Sequence, residues 1–378
     1  MHRRASASAF ALAISLLACG DDDALRTETP PPQPARDDGA IPPSPERDAS
    51  SATDASTDGD GGSIAPAPPI DGGADATPTT PPGVPPPVPV PPPPPAGEPL
   101  FVAVGYGGHR TRSIDGLAWT DHVVEDPEGG DDPRLLRGVG YGDGLFVAVG
   151  NRVLVSRDGV EWTERAYPSE SFVSDAVWLD GTWAAAGGNG LRMRSIDGGE
   201  TWGDETGYFA GHYRAIAAGN GRFLAVGHTY GDAVEGLSSV SLDGATWSAE
   251  RTGGASLRAI AFGAGVFVAV GDRGRVMVTP DGESIVEHEL GTDALEDVAF
   301  VDGEHVVVAS GGTWRSRDGD EWRRDEHRVP GGLEHGVGRY VAAEWPGRIV
   351  ASDDLVEWTT VSETGPALTD IVFGHVVR

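Results

Sequence analysis

From Leu100 onward, apolar positions come in short runs and not in long stripes. The runs Leu100–Val104, Leu145–Val149, Phe223–Val226 and Val266–Val270 are small and β-branched, and a glycine closes each. A looser segment precedes each of the later ones: Leu136–Gly142, Tyr213–Gly219 and Leu257–Gly263. A third segment, such as Arg275–Thr279, leads into an Asp-Gly turn, and a fourth follows it. Runs of about four to six residues with turn signals every 8–12 or so predict antiparallel strands joined by hairpins. No stretch combines sustained helical periodicity with a start signal. The pattern therefore predicts four short strands per unit and no helical layer.

The units repeat. The phrase Ser-x-Asp-Gly-x-x-Trp stands at Ser113–Trp119, Ser156–Trp162, Ser195–Trp202 (one residue longer), Ser241–Trp247 and Ser316–Trp322, with weaker copies at Thr279–Ile285 and Ser352–Trp358. The copies fall 36 to 46 residues apart. A period of about 40 residues holding four strands is the signature of a β-propeller, whose units bury their apolar faces only against neighbours. The first unit opens in mid-pattern, at Leu100, and Leu368–Gly374 supplies the missing innermost strand. The expected fold is all-β: a seven-bladed propeller over residues 99–378, of four-stranded antiparallel blades. Its C-terminal strand joins the N-terminal blade, which removes two exposed sheet edges.

Within the phrase, Ser and Asp suit hydrogen bonding to nearby backbone, Gly suits a positive φ, and Trp supplies a large packing body. The phrase resembles the Asp-box of sialidase-like propellers, Ser-x-Asp-x-Gly-x-Thr-Trp. Ser195-Ile-Asp-Gly-Gly-Glu-Thr-Trp202 matches it fully, and most other copies are one residue shorter. The resemblance implies that the boxes lie between the third and fourth strands, remote from any active site. It makes Asp115, Asp158, Asp197, Asp243, Asp281, Asp318 and Asp353 structural. It does not fix an activity, because such propellers include glycan-cleaving enzymes, assembly factors and sorting receptors. The Phe/Tyr-Arg-Ile-Pro motif that a sialidase would carry does not follow Glu98.

The N-terminal quarter reads differently. Residues 1–18 pair a basic start (His2, Arg3, Arg4) with a short apolar run, the form of a secretory signal peptide. The run ends Leu16-Leu-Ala-Cys19-Gly20, which resembles the bacterial lipobox, and Cys19 is the only cysteine of the chain. The resemblance implies lipidation of Cys19 and anchoring in the cell envelope, with the outer membrane as the expected site. Residues 19–98 hold 22 of the 30 prolines, together with Asp, Ala, Thr and Gly. Such a segment has too few apolar side chains to fold and reads as a spacer, its proline-rich end being polyproline II. Asp54–Gly61 looks faintly like a calcium loop but lacks the bidentate glutamate.

The net charge of −30, with arginine as the only long basic residue, argues against nucleic acid. No nucleophile elbow, zinc helix motif or phosphate-cradling loop is present, and no cofactor or metal is expected. One set of positions is less bland. Arg137, Asp175, Arg214, Arg258, Glu296, Glu334 and Thr369 open the innermost strands, and repeat symmetry gathers them near the channel mouth as a ligand-binding ring. A self-neutralising ring of ion pairs is the plainer alternative. Two functions are weighed. One is a monomeric, membrane-tethered binding or scaffold propeller for a protein or glycan. The other is a glycan-directed hydrolase or lyase drawing on Asp121–Arg134 or His228–Gly236, the longest unrepeated insertions.

Overall fold

The computed structural model describes residues 97–128, 133–205, 209–363 and 365–376. The signal-peptide, Cys19 and spacer assignments lie outside them. The described chain forms seven sheets of four antiparallel strands, each sheet a blade. Blade 1 joins Leu368–Val376 to Glu98–Gly105, Arg110–Ser113 and Thr120–Val123. Blade 2 runs from Leu136–Gly142 to Thr163–Arg165, and blade 3 from Val173–Leu179 to Gly203–Asp204. Blades 4, 5 and 6 begin at Gly211–Gly219, Leu257–Gly263 and Leu295–Val301, and blade 7 at Leu333–Gly336.

Local chemistry explains the hairpins. The turn between the first two strands of a blade holds two residues of positive φ, as at Asn220 (48°) and Gly221 (70°). That is the type I′ geometry, whose twist matches the strands it joins, and Asn-Gly and Asp-Gly are the pairs that adopt it most readily. Ring closure follows the expected route. Leu368–Val376 pairs antiparallel with Glu98–Gly105 from Glu98 opposite Val376 to Gly105 opposite Leu368.

The apolar interior is a series of wedges between neighbouring blades. Blades 7 and 1 enclose Phe101, Ala103, Val341, Ile349, Leu368 and Ile371. Blades 2 and 3 enclose Val147, Val153, Trp183, Met193 and Trp202. A blade removed from its neighbours would expose both faces, and each large apolar side chain so exposed costs about 1.5–3 kcal/mol. Toward the hairpin end, an aromatic ring of one inner strand covers the glycine of the preceding one. A Cβ on Gly263 would lie 2.0 Å from the Phe300 ring.

The boxes fasten the hairpins and also join the blades. In the second, Ser156 Oγ accepts the Gly159 N–H, and Asp158 Oδ1 accepts the N–H groups of Val160 and Glu161. Trp162 Nε1 donates to the Gly159 carbonyl. The turn then seats on the blade before it, with the Cα of Gly159 facing Leu100 and Val102 and the Arg112 guanidinium donating to the Asp158 carbonyl oxygen. The same arginine bond recurs from Arg222 to Asp281 and from Arg339 to Asp115.

The seventh box corrects one assignment. The carboxylate in the turn belongs to Asp354, which accepts the N–H groups of Val356 and Glu357 and the Ser352 hydroxyl. Asp353 stands one residue early and pairs outward with Arg339 at 3.0 Å. Leu355 takes the positive φ (62°) that glycine takes in the other boxes. The doubled Asp and missing Gly hid this register in the sequence.

Two outcomes are expected. Deleting Leu368 onward removes the inner strand of blade 1 and leaves an unpaired edge beside exposed Phe101. The truncated protein aggregates or loses its cooperative melt in size-exclusion and circular-dichroism measurements, and a melt like that of the full chain would refute closure. Asp354→Ala lowers the calorimetric melting temperature while Asp353→Ala leaves it nearly unchanged; equal effects would refute the reassignment.

Candidate functional site

The box turns and the first hairpins share one end of the ring. The opposite end carries the entrances to the inner strands, and a backbone device shapes it. In six blades the inner strand bulges after its first core residue, so that Leu136 pairs with Gly150 and Gly138 with Val149 while Arg137 is left over. The same irregularity leaves out Ser174, Arg214, Arg258, Glu296 and Thr369. A bulge frees one side chain from the alternation of the strand and redirects it. It also crowds the partner strand. A Cβ on Gly227 would lie 1.8 Å from the His212 carbonyl oxygen, so the glycine opposite the bulge belongs to it.

This geometry keeps part of the expected ring and corrects the rest. Arg137, Arg214, Arg258, Glu296 and Thr369 do occupy equivalent bulge positions. Asp175 does not: Ser174 is the bulged residue, and Asp175 sits one step further in, opposite Ala186. Glu334 does not either. Blade 7 pairs without a register shift, and Glu334 lies opposite Val341, deeper along the channel. In sequence Ala176-Val177 resembles the pair that follows Arg214 and Arg258, whereas Val173, opposite Gly187, marks the true register. Two members of the ring have partners outside it. Arg258 bonds Asp272 of its own blade at 2.6 Å, and the Thr369 hydroxyl donates to the Val104 and Leu136 carbonyl oxygens.

Below the mouth, Asp175, Asp297 and Asp370 form a set that the repeat pattern did not show. Each takes the place of Gly138 or Ala215 in the other blades, and each accepts two backbone N–H groups. Asp370 binds those of Ile371 (2.9 Å) and Val139 (2.7 Å). Asp175 binds those of Ala176 and Ile216, and Asp297 those of Val298 and Gly332. The second partner always lies on the next blade, so these carboxyls satisfy inner-edge donors that have no strand partner.

The channel keeps each of them partly solvent-accessible while protein surrounds its other sides. Burial pushes the Asp175 carboxyl up to about 6 and Glu334 up to about 8, against the N–H bonds that oppose it. Burial and the neighbouring Asp175 and Glu334 charges raise Asp370 well above the usual carboxylate range.

The mouth is most distinctive over blades 2 to 4. The Arg137 guanidinium lies over the Phe172 ring, 4.4 Å from its centroid. Phe172 meets His212 edge to face at 5.1 Å, and His212 meets His228 at 5.3 Å. Ser174 Oγ and His212 Nε2 share a hydrogen bond of 2.8 Å. Burial and the positive charges of Arg214 and Arg137, with His228, bring the His212 imidazole down to about 3. The sequence offered no sign of this cluster, because its members come from three blades and only the bulges align them.

The unrepeated insertions are taken up by structure. Asp121 and His122 lie within the fourth strand of blade 1, and Asp121 pairs with Arg112 at 2.6 Å. Burial would raise Glu125, but hydrogen bonds from Arg152 and Arg110 outweigh it and hold its carboxyl low. Asp126 pairs with Arg134, whereas Asp131 and Asp132 lie outside the described residues. In the other insertion, His228 and Thr229 end the second strand of blade 4, and Thr229 N–H closes the loop on the Glu235 carbonyl. Among the described residues no group of three His, Cys, Asp or Glu side chains could hold a metal ion.

No family model matches the chain, and no curated protein matches it. Among solved structures it is similar to YCF48 bound to a D1 peptide, with 15% identity over 73% of this chain and 88% of that one and a TM-score of 0.48. YCF48 from Cyanidioschyzon merolae gives 17% identity over 75% of this chain and 97% of that one, with a TM-score of 0.46. A nidogen/laminin complex gives 11% identity, 74% and 100% coverage and a TM-score of 0.45. These are likenesses of fold.

The channel carboxyls give a pH prediction. A carboxyl with a raised folded pKa favours folding in its protonated form, so its contribution is whole below the unfolded value and is lost as pH rises through the folded one. His109, His212 and His305, depressed to about 4, 3 and 4, oppose this only below about pH 6.5. Stability therefore falls between about pH 6.5 and 8.5, and Glu334→Gln makes that slope shallower. Melting curves across this range check it, and an unchanged slope would assign the loss elsewhere.

Proposed function

We propose that the chain is an envelope lipoprotein, anchored through Cys19, whose residues 20–98 hold a binding propeller away from the membrane. Its mouth face takes a protein or glycan ligand without turning it over. The electrostatics of Ser174 and His212 carry this reading. A hydroxyl 2.8 Å from an imidazole is the spacing of a nucleophile and its base. A general base works best with a pKa near the ambient pH, and burial, reinforced by Arg214, His228 and Arg137, holds His212 far below it. The pair is suited to orienting a ligand by hydrogen bonds and poorly suited to taking a proton from Ser174.

The asymmetry of the ring supports the same reading. At the hairpin end, turn and box bonds use the polar groups to join blades. At the mouth, bulges turn different side chains toward solvent in different blades, which is what recognition of an asymmetric ligand needs.

The full chain immobilised on a surface is expected to retain a peptide or polysaccharide from a panel without cleaving it. Retention falls with His212→Gln and stays with the hairpin-end change Asp180→Ala. Release of shortened glycan would overturn the reading. Cys19→Ser moves the protein from the membrane to the soluble fraction, and an unchanged membrane fraction would refute the anchor.

A further inference from the structure

We infer that Trp345 and Tyr106 form a carbohydrate-binding corner on the mouth face between blades 7 and 1, where a pyranose ring of a glycan stacks on the indole. The inference rests on the binding-face reading, names its ligand class, and puts the contact on other blades than Ser174 and His212.

Three observations carry it. First, the fold makes little use of Trp345. Its side chain is 54% exposed, whereas the other nine tryptophans are buried or half-buried. It lies in the turn between the second and third strands of blade 7, Arg339–Glu344 and Arg348–Ser352, which opens at the mouth end. That turn closes without the indole: the Gly347 N–H donates to the Glu344 carbonyl oxygen at 3.0 Å, and Arg348 pairs with Glu344. The corresponding turns of blades 3 and 5, Gly188-Asn-Gly and Asp272-Arg-Gly, carry no aromatic residue. Indole surface left in water is costly, and a tryptophan exposed on a fixed turn marks a contact surface.

Second, the indole is held at a defined angle. Tyr106 opens the equivalent turn of blade 1, and its ring meets that of Trp345 edge to face, with centroids 5.7 Å apart and planes at 79°. The Tyr106 N–H donates to the Ala367 carbonyl oxygen at 2.9 Å, which ties the corner to the entrance of the inner strand. Two rings near a right angle offer one flat face bounded by a wall. That shape suits a single six-membered ring, whereas a proline-rich helix needs a groove between aromatic side chains.

Third, hydrogen-bonding groups stand beside the indole. Glu344 and Arg348, on either side of Trp345 in the turn, line a cleft of about 210 Å³ with Arg328 and Thr360. The Trp345 indole N–H has no hydrogen-bond partner among the described residues. A pyranose carries C–H groups on its face and hydroxyls around its rim. A flat apolar surface bordered by carboxylate, guanidinium and hydroxyl groups matches both. The net charge of −30 disfavours another stacking ligand, a nucleobase on its phosphate chain.

The full-length, isotope-labelled protein is titrated with cellohexaose, chitohexaose, maltohexaose and, as the peptide alternative, hexaproline. The Trp345 indole N–H signal, assigned by its loss in Trp345→Ala, is followed by NMR, and affinity is measured by calorimetry. At least one oligosaccharide is expected to shift that signal saturably. Trp345→Ala weakens its binding about tenfold or more, the cost of removing an aromatic anchor. The melting temperature stays near that of the parent, because the exposed indole packs on little. Trp345→Phe, with a smaller flat ring, falls between. No shift with any oligosaccharide, hexaproline binding as tightly as the best of them, or an affinity unchanged in Trp345→Ala overturns the carbohydrate corner. That failure leaves the binding-face reading standing, because the retention assay tests it separately with His212→Gln and Asp180→Ala.

Discussion

Everything in this molecule depends on how the inner edges of seven sheets are dealt with. A four-stranded blade has two open edges and two apolar faces, and it is stable only inside a ring. The ladder between Leu368–Val376 and Glu98–Gly105 makes the ring by building one blade from the two ends of the folded chain. The channel edges cannot be closed by further strands. There, Asp175, Asp297 and Asp370 each take one N–H of the next blade, and the Thr369 hydroxyl bonds the Leu136 carbonyl oxygen. The raised carboxyl pKa values are the electrostatic consequence of placing acceptors where a backbone edge needs them.

The two ends of the ring then divide the work. At the hairpin end, type I′ turns and boxes repeat because their positive-φ positions and Ser–Asp bonds are the same in every blade. Each box also seats on the preceding blade, so a motif that is local in sequence stabilises a contact that is not. At the mouth the repeat is deliberately broken. A bulge fixes where a side chain emerges but leaves its identity free, and the blades carry Arg, Ser, Arg, Arg, Glu and Thr there. Burial lowers the basicity of His212, and Arg214, His228 and Arg137 lower it further.

What the sequence by itself determined is the local part: strand lengths, hairpin turns, the four-strand unit, the count of blades and their closure. These follow from alternation, from Gly and Asn in turns, and from the spacing of the boxes, all within one unit. Only the tertiary structure decided which residue each bulge expels, and a one-residue slip was enough to confuse Asp175 with Ser174 and Asp353 with Asp354. It also decided that Glu334 lies inside the channel, and that Phe172, His212 and Arg137 meet across three blades. The reason is physical. A strand's side chains alternate every residue, so composition reveals the strand while register reveals the face. Register at a bulge is set by the neighbouring backbone, where Gly150 and Gly227 admit the extra residue.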